Sequence, residues 1–177
     1  TLLSSDGQQQ ELCRWKQDER SEMFMNGNMY YWDKETNGLY CWDLESDTPE
    51  CLFAGPIRFD DEVSYDRLSL SADSFDGHLL VTAVQDSDGQ AVSCAFDPIS
   101  KSLQKLTLTS DDEKSVLILA EGSEYFLVRY GLMEYEVPDY APDGREITTT
   151  MLLPNLRLIA KSDYWNNIPN YILLDDY

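Results

Sequence analysis

The sequence predicts an all-β fold, and three observations support that prediction. Six of the nine glycines follow Asp or Asn, an arrangement that favours hairpin turns because both residue types tolerate positive φ. Runs rich in β-branched and aromatic residues lie between these turns, for example at 79–84 and 125–130. No window of about a dozen residues keeps the helical period of about 3.6 residues without a Gly, Pro or Asp/Ser interruption.

An internal repeat predicts the architecture. A turn residue, a polar residue and an apolar run recur from Gly27, Gly77, Ser123 and Pro169, with offsets of 50, 46 and 46 residues. A period of about 40–50 residues is typical of the four-stranded blades of a β-propeller. We therefore predict one propeller-like domain, residues 1–177, with about four four-stranded antiparallel blades. These blades are 22–55, 68–108, 115–152, and 155–177 together with 1–15.

Each predicted blade runs from an inner strand a to an outer strand d. The assigned strands are a at 22–25, 68–71, 116–120 and 156–161; b at 29–31, 79–84, 125–130 and 171–177; c at 39–43, 91–96 and 132–137; and d at 50–54, 102–108 and 146–152. The chain ends in a strand b and opens with a hairpin, so we expect the two termini to complete one blade, which would remove an exposed sheet edge. The alternatives are a piece of a longer propeller and a β-sandwich with irregular hairpins.

Composition and charge limit the function. There are 33 acidic and 13 basic residues, giving a formal net charge of −20, and 42% of the residues are apolar. The apolar content supports a core and excludes a disordered acidic tail. The charge excludes nucleic-acid binding and favours a monomer, because polyanions and like-charged copies are repelled. No apolar stretch approaches the roughly 20 residues of a membrane span, so none is expected.

Residues 29–47 resemble a known type of blade. A tyrosine-rich strand, Met29-Tyr30-Tyr31-Trp32, precedes the Asn37-Gly38 turn, and Leu39-Tyr40 and Trp42-Asp43 follow. This order resembles the TolB-like propellers, especially uncharacterised repeats on surface proteins of Gram-positive bacteria. Residues 71–77 and 142–144 are also similar to that group, although the resemblance is best over 22–108. It implies a scaffold on a bacterial surface and no particular activity.

We predict an extracellular or cell-surface binding or scaffolding module, without catalysis of its own, that recognises a protein or glycan through rim loops. The longest insertion, 55–67, combines aromatic residues with both signs of charge, and such loops often carry recognition. The candidate contact residues are Arg58, Phe59, Tyr65 and Arg67 in this loop and Trp165 elsewhere. The alternative is that these aromatic side chains only pack beneath the loop or cover a blade.

The acidic residues suggest two other functions. The predicted rim carries Asp18, Glu19, Glu35, Asp60, Asp61, Glu62, Asp66, Asp86, Asp88, Asp111, Asp112 and Glu113. A facing pair of carboxyl groups would suit a carbohydrate-active hydrolase. A calcium-stabilised structural domain is the other alternative, because Asp86-Ser87-Asp88-Gly89 matches the first half of a calcium loop, although the later glutamate is missing. Ca²⁺ is the only cofactor that the sequence indicates; an ordinary Asp-Gly turn explains the same residues.

Cysteine and histidine give little indication of catalysis. Cys41 and Cys51 lie symmetrically about Ser46 in one predicted hairpin. If they were directly opposed, their Cβ atoms would be about 4.5–5.5 Å apart, which is close to disulfide geometry. The sequence thus allows a disulfide, and two small buried side chains are the alternative. His78 is the only histidine and no Gly-x-Ser-x-Gly motif occurs, so a histidine zinc site and a catalytic triad are not expected.

Overall fold

The computed structural model describes residues 2–3, 9–10, 20–43, 46, 48–59, 63–111 and 114–174. Of these residues 64% lie in strands and 3% in a helix, so the predicted all-β class is confirmed. The strands of this part of the chain form three four-stranded and two two-stranded sheets, all antiparallel. The chain divides into two compact units, Thr1–Lys105 (unit 1) and Leu106–Tyr177 (unit 2). No helix in the described ranges is long and apolar enough to cross a membrane.

Unit 1 opens with a hairpin and continues with a four-stranded meander. The hairpin pairs β1 (Leu2–Leu3) with β2 (Gln9–Gln10). The meander is β3 (Arg20–Met25), β4 (Asn28–Asp33), β5 (Gly38–Asp43) and β6 (Glu50–Ala54), paired in chain order. Asn26 and Gly27, with φ of 50° and 80°, form the turn between its first two strands. Positive φ at both positions is what a tight primed hairpin turn requires, as the sequence predicted.

A second meander follows in the same unit. A short hairpin joins β7 (Ile57–Arg58) to β8 (Ser64–Tyr65), and the second sheet is β9 (Arg67–Phe75), β10 (His78–Val84), β11 (Ala91–Asp97) and β12 (Ser102–Lys105). The turn between β9 and β10 again has positive φ at two residues, Asp76 and Gly77. The strands of both meanders begin and end within a few residues of their predicted positions, because turn residues separate them.

The two meanders of unit 1 share one hydrophobic core. The strands β3 and β9 approach each other, and the side chains of both sheets meet between them. Trp32, Leu39, Leu79 and Phe96 are almost completely buried. Burial alternates along β10, where Leu79, Val81 and Ala83 face the core. This alternation is the period of two that a half-buried strand requires.

Unit 2 contains one sheet and one short helix. Its elements are β13 (Leu117–Glu121), β14 (Tyr125–Tyr140), β15 (Glu146–Ala160), α1 (Lys161–Trp165) and β16 (Tyr171–Leu173), and the sheet order is β13-β14-β15-β16. Phe126, Val128 and Ile159 are buried in this sheet, and Tyr164 of α1 packs edge-on against Phe126 with 5.4 Å between ring centroids. The core of the unit therefore lies where all four strands are paired.

The strand assignment in unit 2 differs from the prediction. The predicted strands 125–130 and 132–137 are one continuous strand, β14, and the predicted strands 146–152 and 156–161 lie in β15 except for Lys161, which begins α1. The reason is Gly131, which has φ of 136° but forms a bulge and not a turn, so that Tyr130 and Gly131 together face Asn155. The two predicted blades thus contribute to a single sheet.

The predicted completion of one blade by both termini stays a prediction. The pairing of Leu2 with Gln10 and of Leu3 with Gln9 agrees with the predicted opening hairpin. Residues 1, 4–8, 11–19 and 175–177, which carry the rest of that prediction, lie outside the described residues.

Candidate protein-binding surface

The 55–67 loop packs its aromatic residues inward. Tyr65 is 3% exposed and belongs to the core, and Phe59 contacts it edge-on with 5.8 Å between ring centroids. Arg58 is exposed on β7. The prediction of Tyr65 as a partner contact is therefore corrected, because a buried ring offers no surface. The alternative interpretation, packing beneath the loop, describes Phe59 and Tyr65.

Arg67 and the predicted calcium residues hold the loops of unit 1 together. Arg67 Nε donates to Asp86 Oδ1 at 2.8 Å, and Asp66 Oδ2 accepts the Asp86 N–H at 2.7 Å. Asp88 Oδ1 accepts the Gln90 N–H at 2.9 Å, as expected of a turn aspartate. No group of three or more potential metal-ligating side chains is found within the described ranges. Calcium binding at Asp86 and Asp88 stays a prediction.

The proposed disulfide between Cys41 and Cys51 is wrong. Both thiols are free. The register between β5 and β6 shifts by one residue, so that Cys41 lies opposite Glu50 and Cys51 lies opposite Tyr40. Neighbouring pairs along a strand point to opposite faces of a sheet, and the two sulfur atoms therefore face away from each other.

The remaining predicted residues have mainly structural contacts. Trp165 is half-buried, and its ring packs edge-on against Phe126 and Tyr164 with centroid distances of 5.4 and 5.1 Å. His78 Nδ1 donates to the Asp76 carbonyl oxygen at 3.0 Å, within the hairpin turn. Several predicted rim acids lie outside the described residues, namely Asp18, Glu19, Asp60, Asp61, Glu62, Asp112 and Glu113.

A two-stranded extension of the sheet in unit 2 carries a large group of exposed apolar side chains. We call residues 132–154 the arm; here β14 pairs only with β15 among the described strands. The arm holds eight of the seventeen large hydrophobic side chains that are exposed in the described chain. They are Leu132, Met133, Tyr135, Tyr140, Ile147, Met151, Leu152 and Leu153.

These side chains are divided between the two faces of the arm. Met133 lies opposite Leu153 and Tyr135 lies opposite Met151, so their side chains share one face. We call this the apolar face, and it consists of Met133, Tyr135, Val137, Ile147, Met151 and Leu153, with Asp139 and Thr149. The other face carries Glu134, Glu136, Glu146, Thr148 and Thr150 beside Leu132, Pro138, Tyr140, Leu152 and Pro154. Six of the eight residues on the apolar face are therefore apolar, whereas five of the ten residues on the other face are polar or acidic.

A tight turn closes the arm. The Ala141 N–H donates to the Arg145 carbonyl oxygen at 2.9 Å, and the Gly144 N–H donates to the Ala141 carbonyl oxygen at 2.8 Å. Gly144 has φ of 82°, which a glycine adopts without steric cost. Asp143 Oδ2 accepts the Arg145 Nε–H at 2.8 Å. The turn fixes the register of the arm and hence the composition of each face.

No protein-family model, curated protein or solved structure matches this chain. The resemblance to TolB-like blades therefore stays a prediction, and the arm has to be interpreted from its own geometry.

Aromatic and charged contacts hold the base of the arm. The Tyr130 ring lies 4.5 Å from the Tyr171 ring between centroids, and the Arg157 guanidinium carbon lies 5.7 Å from the Tyr130 centroid. The Tyr130 hydroxyl donates to Asp111 Oδ1 at 2.9 Å, which raises the pKa of Tyr130. A cavity of about 200 Å³ lies at the base of the arm and is lined by Ser110, Lys114, Ser115, Arg129, Gly131 and Leu132. The contacts of Tyr130 with Tyr171, Arg157 and Asp111 anchor the chain just before the arm begins.

The sequence contained a signal for this surface. In Met133-Glu134-Tyr135-Glu136-Val137 apolar and acidic residues alternate, and this alternation predicts a strand with one apolar face. The sequence predicts a strand at 132–137 but not the exposure of its apolar face. Sequence alone does not show which elements cover a face.

Proposed function

We propose that the protein is a non-catalytic binding module that docks a partner protein on the apolar face of the arm. The observation that carries this proposal is the exposure of Met133, Tyr135 and Met151, at 39%, 37% and 46%, on one face of a paired ribbon. Contiguous exposed apolar residues are characteristic of protein–protein interaction sites, and Met and Tyr are enriched in such interfaces.

The backbone of the arm supports this role because it holds the side chains in place before binding. The ladder pairs β14 with β15 continuously from Leu132 opposite Pro154 to Tyr140 opposite Glu146. The base of the arm continues into the fully paired sheet of unit 2. A surface that is already ordered loses less conformational entropy when it binds a partner.

Charge favours a basic partner. The arm contains five acidic residues, Glu134, Glu136, Asp139, Asp143 and Glu146, and one basic residue, Arg145. A second copy of the chain would bring a further charge of −20 and would be repelled. A partner with an apolar strip flanked by lysine or arginine matches both faces of the arm. The predicted location outside the cell or at its surface is part of the proposal, supported by the resemblance of residues 22–108.

Selection from a random peptide library displayed on phage tests the proposal with the full chain as bait. We expect enrichment of peptides that combine apolar residues with lysine or arginine. Met151→Ser should weaken binding of the enriched peptides by about tenfold or more, since it removes a large part of a buried apolar contact.

Leu152→Ser is the matched control. Leu152 follows Met151 directly and is 57% exposed, but its side chain points to the other face. We expect this variant to weaken binding of the same peptides less than Met151→Ser does, because it leaves the apolar face intact. Equal binding by both variants, or enrichment of acidic peptides, would contradict the proposal. A dimer in light scattering that Met151→Ser abolishes would identify a second copy as the occupant instead.

The two alternative functions stay predictions. Product release from a panel of glycans would support a carbohydrate-active hydrolase. A rise of several degrees in the melting temperature on adding calcium, reversed by a chelator, would support a calcium-stabilised domain.

A further inference from the structure

We infer that the partner contributes a β-strand that pairs with residues 146–152 of β15, along the edge that no described strand covers. This inference rests on the proposed function, because it gives the binding mode of a partner on the same arm. It is carried by the direction of the backbone groups along the two edges of the arm.

The turn determines which backbone groups point outward. Because the Ala141 N–H donates to the Arg145 carbonyl oxygen, these two residues form a hydrogen-bonded pair. Such pairs alternate with non-hydrogen-bonded pairs along an antiparallel ladder, whose residues direct N–H and C=O away from the partner strand. With the observed register, the outward residues of β15 are Glu146, Thr148, Thr150, Leu152 and Pro154.

The prolines of the arm agree with this alternation. Pro138 lies opposite Thr148 and Pro154 lies opposite Leu132, so both occupy non-hydrogen-bonded pairs. A proline has no N–H to donate, and at these positions its absence costs the ladder no hydrogen bond.

The two edges of the arm differ in their ability to accept a strand. The outward residues of β14 are Leu132, Glu134, Glu136, Pro138 and Tyr140. Proline and charged residues are devices that block pairing at an edge, so this edge is protected. On β15 the charged Glu146 and Pro154 stand only at the two ends of the outward row, and the consecutive outward residues between them, Thr148, Thr150 and Leu152, are uncharged and keep their N–H groups. Among the described strands, β16 pairs with β15 only at Arg157–Ile159, beyond this segment.

The chemistry of the incoming strand follows from its neighbours. On the apolar face its side chains would lie beside Ile147, Thr149 and Met151, which favours valine or similar residues. On the other face its direct neighbours would be Glu146, Thr148, Thr150 and Leu152. Glu146, together with Glu134 and Glu136 on β14 beyond β15, favours long basic side chains such as lysine or arginine on this face. The partner segment is therefore an extended chain that alternates apolar and basic residues. Main-chain hydrogen bonds would provide affinity and the alternate side chains specificity.

A seven-residue peptide that alternates lysine and valine, with both ends blocked, is the probe for the full chain. Thr150→Pro removes one outward N–H, and we expect it to weaken binding about tenfold or more relative to Thr150→Ala. Glu136→Pro makes the same change on the opposite edge and should bind as Glu136→Gln does. Equal binding by Thr150→Pro and Thr150→Ala would overturn strand addition.

Two N-methylated probes test the inference without changing the protein. One is methylated at the valine nitrogens and the other at the lysine nitrogens. In a paired edge strand alternate N–H groups face the neighbouring strand, so we expect only one of the two probes to lose binding. Loss of binding by both probes, or by neither, would overturn the inference.

The outcomes separate the inference from the proposed function. If Met151→Ser weakens binding and Thr150→Pro does not, the apolar face binds the partner without strand addition. If the lysine–valine peptide does not bind at all, strand addition of this chemistry is rejected, and the library selection still decides the proposed function. Protection of the Thr148, Thr150 and Leu152 amides from hydrogen exchange in the complex, with those of Glu134 and Glu136 unchanged, would support pairing at β15.

Discussion

The strand β10 of unit 1 and the arm of unit 2 show the same alternation of side chains with opposite results. In β10 the alternate residues Leu79, Val81 and Ala83 are buried, because the core of unit 1 covers that face. In the arm the alternate residues Met133 and Tyr135 stay more than one-third exposed. An apolar face becomes core or stays exposed according to what covers it. The arm is thus a place where the protein leaves apolar side chains exposed to solvent.

The largest expected effect comes from removing apolar volume in the two regions. Leu79→Ala should lower the free energy of unfolding of unit 1 by about 2–5 kcal/mol, because it leaves a cavity in a filled core. Met133→Ala on the arm should change it by no more than about 0.5 kcal/mol, as is usual for surface substitutions. Urea unfolding of both variants measures the difference. Equal losses would mean that the arm face is as well packed as the core.

Alkaline pH should lower the stability of the folded protein by a smaller amount, through ionisable groups in the cores of both units. Burial raises the pKa of Cys94 and Tyr30 in unit 1 and of Tyr164 in unit 2 to about 12, from ordinary values of 9.0 for the thiol and 10.0 for the phenols. Folding favours the protonated forms, so their contribution to stability is complete below about pH 9 and is lost as the pH rises towards 12.

Thermal melts across this pH range measure the loss. Tyr164→Phe should make the loss for unit 2 less steep, because it removes one group that ionises only when unfolded. If the melting temperature of Tyr164→Phe falls with rising pH as steeply as that of the unsubstituted protein, the Tyr164 hydroxyl does not cause the loss of stability at alkaline pH.

The smallest expected effect concerns a turn of unit 1. Ser100 Oγ donates to Asp97 Oδ2 at 2.6 Å and the Ile99 N–H donates to Oδ1 at 2.9 Å, and these bonds lower the pKa of Asp97 below its ordinary 3.8. Their contribution to stability is therefore present above about pH 3.8 and is lost as the pH falls through the folded-state pKa. Ser100→Ala should raise the pKa of Asp97 in an NMR titration. An unchanged pKa would assign the shift to other groups.

The turns and most strands of unit 1 could be predicted from the sequence. Asn26-Gly27 and Asp76-Gly77 have the positive φ that their residue types favour, and the strands that they join lie at the predicted positions. Local steric preference decides such turns, and it is a property of the residues themselves. The apolar and β-branched run 79–84 likewise predicted a strand, and the structure has it in β10.

The candidate site could be predicted only in part. The register shift that separates Cys41 from Cys51 depends on the whole β5–β6 pairing, which no local pattern specifies. Tyr65 and Phe59 matched an interface composition, but their burial depends on the sheets that surround them. At Gly131 the residue type was compatible with either a turn or a bulge, and the pairing of the flanking strands selected the bulge.

For this protein, the sequence by itself determined the all-β class, the Asn-Gly and Asp-Gly turns between the strands of unit 1 and the alternation of side chains along a strand, because these follow from the conformational preferences of neighbouring residues. The tertiary structure decided the register, the length of the arm and which apolar faces are covered. These depend on contacts between residues far apart in the chain, and their energies are not contained in any local segment.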